Sequence, residues 1–291
     1  MDIRRLLRPT NRKVRVFVGL ILAGLFAVQC TQSTVAFKQS SGVVAVGGQA
    51  SGEEGASTMA KLERLAASDH IAFLDHCLKN CRETYRDYTC EFTKQEVING
   101  QTKPQQKMQV KFMGRPFSVC MTWVQNPPTG DKVLYVEGLY GNKMLVRPAA
   151  KFLQAILPTV TRSPDDAEAM QATLRPVNMF GFERGLESLL DVYRLAQKQG
   201  DLKQSSGGYA KVGDRTCFVL VRNLPDKPDY QSVGEKTVVF VDTQYLVPIR
   251  LEAYDWAGKP LCAYEYSDIK FNVGLKSEDF IPENNGLKTP K

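Results

Sequence analysis

Residues 88 to 147 form a series of short runs in which apolar and polar side chains alternate, each run ended by a turn-forming pair. Few folds accept such a chain. YTCEFTKQEVI leads into Asn99-Gly100, a dipeptide suited to tight hairpins, and MQVKF follows. In FSVCMTW, Phe117, Val119, Met121 and Trp123 alternate with Ser118, Cys120 and Thr122. KVLYVEG and KMLVRPA continue the pattern across a Gly141-Asn142 turn. A period of two with Gly, Asn and Pro punctuation predicts an antiparallel meander.

Two helical stretches frame this meander. Ile71, Leu74, Leu78, Cys81, Tyr85 and Tyr88 recur every three or four residues, with Ser68 and Asp69 placed to cap the start, so a helix is expected from Ser68 to about Asp87. Leu186, Leu189, Leu190, Tyr193 and Ala196 make a second stripe, closed by Gly200. Strands resume at YAKVG, TCFVLVRNL, KTVVFVD, LVPIRLEAYD and LCAYEYSDIKF. Helix, meander, helix and meander give an α+β chain with helices laid on one antiparallel sheet. The expected organisation is a leader over residues 1–36, a Gly/Ser/Ala-rich flexible tether over 37–67, one domain over 68–284 and a disordered tail over 285–291.

The leader carries Arg4, Arg5, Arg8, Arg12, Lys13 and Arg15 against the single acid Asp2, followed by the uncharged run VFVGLILAGLFAV. A positive segment ahead of an apolar core of about 7–15 residues is the layout of an export signal. Cleavage after Ala36 is the expectation; lipid attachment at Cys30, where Gln29 replaces the expected small residue, and retention as an anchor with its positive end inside are the alternatives. The expected location is the periplasm or the outer face of the inner membrane, with membrane association through the leader as one outcome.

The formal charge of +7 is mostly this leader, which contributes +5. The +2 left over the remaining chain, with no Lys/Arg run, gives no footprint for nucleic acid. Cys77, Cys81, Cys90, Cys120, Cys217 and Cys262 follow the leader without paired CxxC spacing, which argues against zinc. Their number permits disulfides, whose pairing the sequence leaves open, although buried small apolar residues are the simpler reading for most. His70 and His76 stand six apart, off the four-residue spacing that places two ligands on one helical face, so no metal site and no cofactor are expected. Neither a nucleophile elbow nor a phosphate-binding loop is present. Asp165, Asp166 and Glu168 read as an exposed loop, and Asp242, Asp255 and Asp268 as turn residues at strand ends. No enzyme is indicated.

VVFVDTQYLVPIRLEAYDWAGKPLCAYEYSDIKFNVGLKSEDF, with YTCEFTKQEVING, PFSVCMTW, VLYVEG and GFERGLESLL, resembles a family of bacterial envelope proteins within or beside the lipoprotein-carrier (LolA/LolB-like) superfamily. That resemblance implies a strongly curved antiparallel sheet, an incomplete β-barrel, with helices over its open side and an apolar cavity between them that takes acyl chains. Relative to those carriers the chain adds segments around residues 148–178. The alternating rows Val110, Phe112 and Phe117, Val119, Met121, Trp123 are then the expected cavity wall. The expected function is non-enzymatic binding of a lipid, an acylated protein or another apolar ligand. A scaffolding protein with no cavity is the alternative, and an envelope hydrolase with convergent polar groups is a third.

Overall fold

The computed structural model describes residues 53–289. The leader, with Cys30, and residues 37–52 of the tether lie outside that range. Residues 53–67, expected as tether, instead belong to helix α1 (Glu53–Ser68). The reason is burial: Leu62 and Ala66 are enclosed, and the helix lies against α2 (His70–Thr84) and two sheet strands. Helix α2 begins as expected, the Asp69 carboxylate accepting from the Ala72 amide at 3.0 Å. It ends at Thr84, before Asp87, because Tyr85 turns extended and Tyr88 already belongs to a strand.

One meander comprises β1 (Asp87–Ile98), β3 (Gln106–Met113), β4 (Ser118–Gln125), β5 (Gly130–Val136), β6 (Met144–Pro148) and β7 (Val160–Arg162). A two-residue strand β2 (Gln101–Thr102) folds back on β1 across Asn99 and Gly100, both at positive φ. Helices α3 (Lys151–Ile156) and α4 (Phe182–Gln199) fall on either side of β7. The second meander is β8 (Lys203–Val212), β9 (Arg215–Asn223), β10 (Lys236–Asp242), β11 (Pro248–Tyr254) and β12 (Pro260–Phe271). All pairs are antiparallel, in the order β7-β6-β5-β4-β3-β1-β12-β11-β10-β9-β8. The sheet is therefore open and curved, with β7 and β8 at its ends, and its middle seam joins β1 to β12, Tyr88 opposite Phe271 and Glu96 opposite Cys262. Register shifts interrupt six of the pairings, β1–β12 and β8–β9 among them; such bulges bend and twist a strand locally.

Strand alternation divides the burial between two faces. Helices α1, α2 and α4 cover the face that holds Phe92, Met108, Val110, Val119, Phe218 and Val239. On the opposite face Cys120, Leu134 and Leu145 pack against Phe280 and Leu287. Residues 285–289, expected as disordered, accordingly lie on the sheet: Leu287 is buried, and the Lys288 amide donates to the Thr159 hydroxyl at 2.7 Å. All six cysteines are buried free thiols. Under α4, Arg222 is 1% exposed, donates to the Thr237 hydroxyl at 2.8 Å and lies over the Tyr193 ring, 5.1 Å from its centroid. Among the described residues no helix is long and apolar enough to cross a membrane.

Candidate functional site

Between the sheet and α4 lies an apolar cavity of about 450 Å3, and the two alternating rows part company around it. Val110, Phe112, Phe117 and Val119 are buried among other core side chains, and none of the four lines this cavity. Met121 and Trp123, farther along β4 where the sheet and α4 separate, do line it. Its inner end is aromatic: Phe92 and Phe180 meet at 5.2 Å between ring centroids, and Phe182 and Tyr266 at 4.6 Å. Gly181 seats this cluster from the start of α4 at φ 103°, where a Cβ would come within 2.8 Å of the Phe112 ring. The sides are Met108, Val133, Met144 and Val146 from strands and Leu189 from α4.

The segment between β6 and α4 supplies the outer wall. Leu153 and Leu157, on and after α3, line the cavity, whereas Phe152 and Ile156 are 69% and 73% exposed. Val160, Ala169, Ala172 and Val177 continue the apolar lining. These residues come from the stretch around 148–178, whose mixed composition carries no periodic signal pointing to a wall. A signal did exist on β1. Its inward row reads Tyr88, Cys90, Phe92, Lys94, Glu96, and two charges on a buried row demand partners.

Those partners line the cavity too. Lys94 Nζ donates to Glu96 Oε2 at 2.8 Å and to the Thr173 hydroxyl at 2.9 Å, and the Tyr264 hydroxyl donates to Glu96 Oε1 at 2.7 Å. Burial, with Cys262 and the Glu96 carboxylate nearby, pushes the Tyr264 phenol well above its ordinary range, so it remains a donor. Arg250 donates through Nε to Glu252 at 2.8 Å and through Nη1 to Glu265 at 3.3 Å. Arg162 donates to Glu168 at 2.9 Å. Among the described residues the Arg175 side chain donates to the Ser188 hydroxyl alone, at 3.2 Å. The result is an apolar pocket with a small set of polar groups at its entrance, the usual form of a small-molecule site.

The histidines and acids take structural places. His70 is fully buried with Nδ1 sharing a hydrogen bond with the Tyr193 hydroxyl at 3.1 Å, and burial lowers its pKa to about 4. His76 is exposed while its neighbour Cys77 is buried, so the two do not form a pair. Asp242 accepts from Arg215 at 2.5 and 2.8 Å and from the amides of Gln244 and Tyr245, holding the β10–β11 turn. Asp255 accepts from the Ala257 and Lys259 amides in the same way. Among the described residues no cluster of three metal-ligating side chains occurs.

Several solved structures are similar to this chain at low identity. A DUF1329 family protein from Desulfovibrio piger is 14% identical, over 78% of this chain and 98% of that one, with a TM-score of 0.35. The Pseudomonas aeruginosa MucA/MucB complex gives 10% identity over 77% and 64% of the two chains, with a TM-score of 0.46. A LolA superfamily protein from Nitrosomonas europaea gives 13% over 72% and 98%, with a TM-score of 0.31. No curated protein matches the chain. Residues 85–288, from the C-cap of α2 through the buried Leu287, match a family model, and the chain belongs to that family: the proteins of unknown function grouped as DUF1571.

Proposed function

We propose that this protein is an exported, non-enzymatic component of the cell envelope that binds an acyl chain in the cavity between its sheet and α4. The observation that carries the reading is the cavity itself, an apolar space of about 450 Å3 where an antiparallel sheet and its covering helix would otherwise fill the gap with side chains. That volume falls within the roughly 300–1,000 Å3 of small-ligand pockets. Its lining is mostly aromatic and aliphatic, so a chain of methylenes gains from burial there while a polar molecule loses hydration. The basic leader with its uncharged run supports export. Of the expected wall residues, Met121 and Trp123 are the two assigned to ligand contact.

Native mass spectrometry of the full chain, followed by organic extraction, tests this. An acyl-bearing molecule at near-stoichiometric level is the expected result. Met144→Trp, which adds bulk into the cavity from β6, should reduce that occupancy several-fold. Equal occupancy in the variant, or a ligand-free wild type that also fails to take up added lipid, overturns the proposal.

A further inference from the structure

Four cations and two acids line the cavity: Lys94, Arg162, Arg175 and Arg250 against Glu96 and Glu168. Three of the cations are already satisfied by carboxylates, Lys94 by Glu96, Arg162 by Glu168, and Arg250 by Glu252 and Glu265. Arg175 alone among these four has no carboxylate partner within the described residues, and its one side-chain hydrogen bond goes to Ser188 on α4. That bond engages Nη1 and leaves Nε and Nη2, the two donors with which a guanidinium grips a carboxylate or phosphate side-on.

The backbone that presents Arg175 is fixed. The Thr173 hydroxyl donates to the Arg175 carbonyl at 3.0 Å and receives its amide at 3.4 Å, while the same hydroxyl accepts from Lys94. Pro176 restricts the following bond, and both Thr173 and Pro176 line the cavity. The charge also reaches inward, since Arg175 counteracts the upward shifts that burial imposes on the phenols of Tyr264 and Tyr266. An exposed cation on a fixed backbone, with no carboxylate partner among the described residues and lining an apolar pocket, is complementary to a molecule with a greasy body and one negative end.

Resting on the acyl-binding reading, we infer that the ligand is an anionic amphiphile whose carboxylate or phosphate headgroup is held at the cavity lip by the Arg175 guanidinium. The neutral ends of acyl chains, such as alcohols and amides, lack the charge that Arg175 is placed to meet. The already paired Lys94–Glu96 couple beside it offers an incoming headgroup no free cation.

Three probes with one twelve-carbon chain separate the terms: dodecanoate, dodecyl phosphate and dodecanol, titrated below their aggregation limits against the full chain by calorimetry. The wild type should bind at least one of the two anions about tenfold or more tightly than the alcohol, since a charge-assisted bidentate contact is worth at least that factor. The preferred anion distinguishes a carboxylate from a phosphate headgroup. In Arg175→Gln the anion should fall to within about twofold of dodecanol, while dodecanol affinity stays at the wild-type value and certifies the fold and the cavity. Arg175→Lys, which keeps the charge and loses the fork, should recover part of the preference. Equal binding of anion and alcohol by the wild type, or an anion preference that survives Arg175→Gln, overturns the headgroup inference and leaves acyl binding intact. Failure of all three probes to bind overturns both, and anion binding by acetate or inorganic phosphate alone at similar strength overturns the role of the chain.

Discussion

His70 opens α2 with its ring enclosed between that helix and Tyr193 of α4, so protonating it places a charge in a buried site. Burial therefore holds its pKa at about 4, the Ala66 carbonyl and Asp69 only partly offsetting it. Between the ordinary value of 6.5 and that value, the unfolded chain takes up a proton that the folded chain refuses, and stability falls as pH drops through this window. The expected loss from pH 7 to 4 is about 3 kcal/mol from this residue, measurable by urea unfolding at a series of pH values. His70→Gln should flatten that part of the profile. Neither the burial nor the Tyr193 partner could be read from the sequence, where His70 stands just after the cap of an amphipathic stripe. The partner lies 123 residues away.

Elements were legible in the sequence where one periodicity ran unbroken. Gly200 does close α4, at φ 72°, and Asn99-Gly100 does turn β1 back on β2, because local chemistry alone decides those points. Helix α1 was not legible, since its Gly/Ser-rich approach hides a helix whose stability comes from Leu62 and Ala66 packing on distant strands. The candidate wall was half legible for a related reason: alternation identifies the inward face of β4 but says nothing about where along it α4 lifts away. Helix α4 itself holds two glycines with opposite expectations. Gly181, its N-cap, lies at φ 103° and ψ 162°, a region essentially reserved for glycine, and Gly181→Ala should cost about 3 kcal/mol through strain and the Phe112 clash. Gly185, inside the helix on the cavity side, has no heavy atom within 4 Å of where an alanine methyl would sit, and Gly185→Ala should stabilise by about 0.5–1 kcal/mol. Thermal or urea unfolding of the two variants side by side checks both signs.

Six buried thiols give the molecule as a whole a weakness toward alkali. Burial raises each of them, Cys262 to about 11, Cys81 and Cys217 to about 12, with Cys77, Cys90 and Cys120 raised as well. The Tyr193 phenol follows, to about 12. Above pH 9 the unfolded chain sheds protons that the folded chain keeps, so stability declines with rising pH, by up to about 1.4 kcal/mol per thiol for each pH unit. Arg222, lowered by burial to about 10, acts in the opposite direction, but only above that pH and as a single group. Urea midpoints should therefore fall steeply between pH 8 and 10.5, and a flat profile would show that the thiols are not enclosed in solution.

The seam between β1 and β12 also sets the order of events in folding. The first and last long strands of the sheet are central neighbours, pairing Thr89 with Lys270 and Glu96 with Cys262, so each meander keeps a bare central edge until residue 271 has emerged. Contacts of such long sequence separation form slowly and late. A chain lacking β12 thus has no continuous sheet, because the two meanders are joined only through the β1–β12 pairing. On the export reading proposed above, late closure is an advantage: the same pairing that makes the sheet continuous also postpones it.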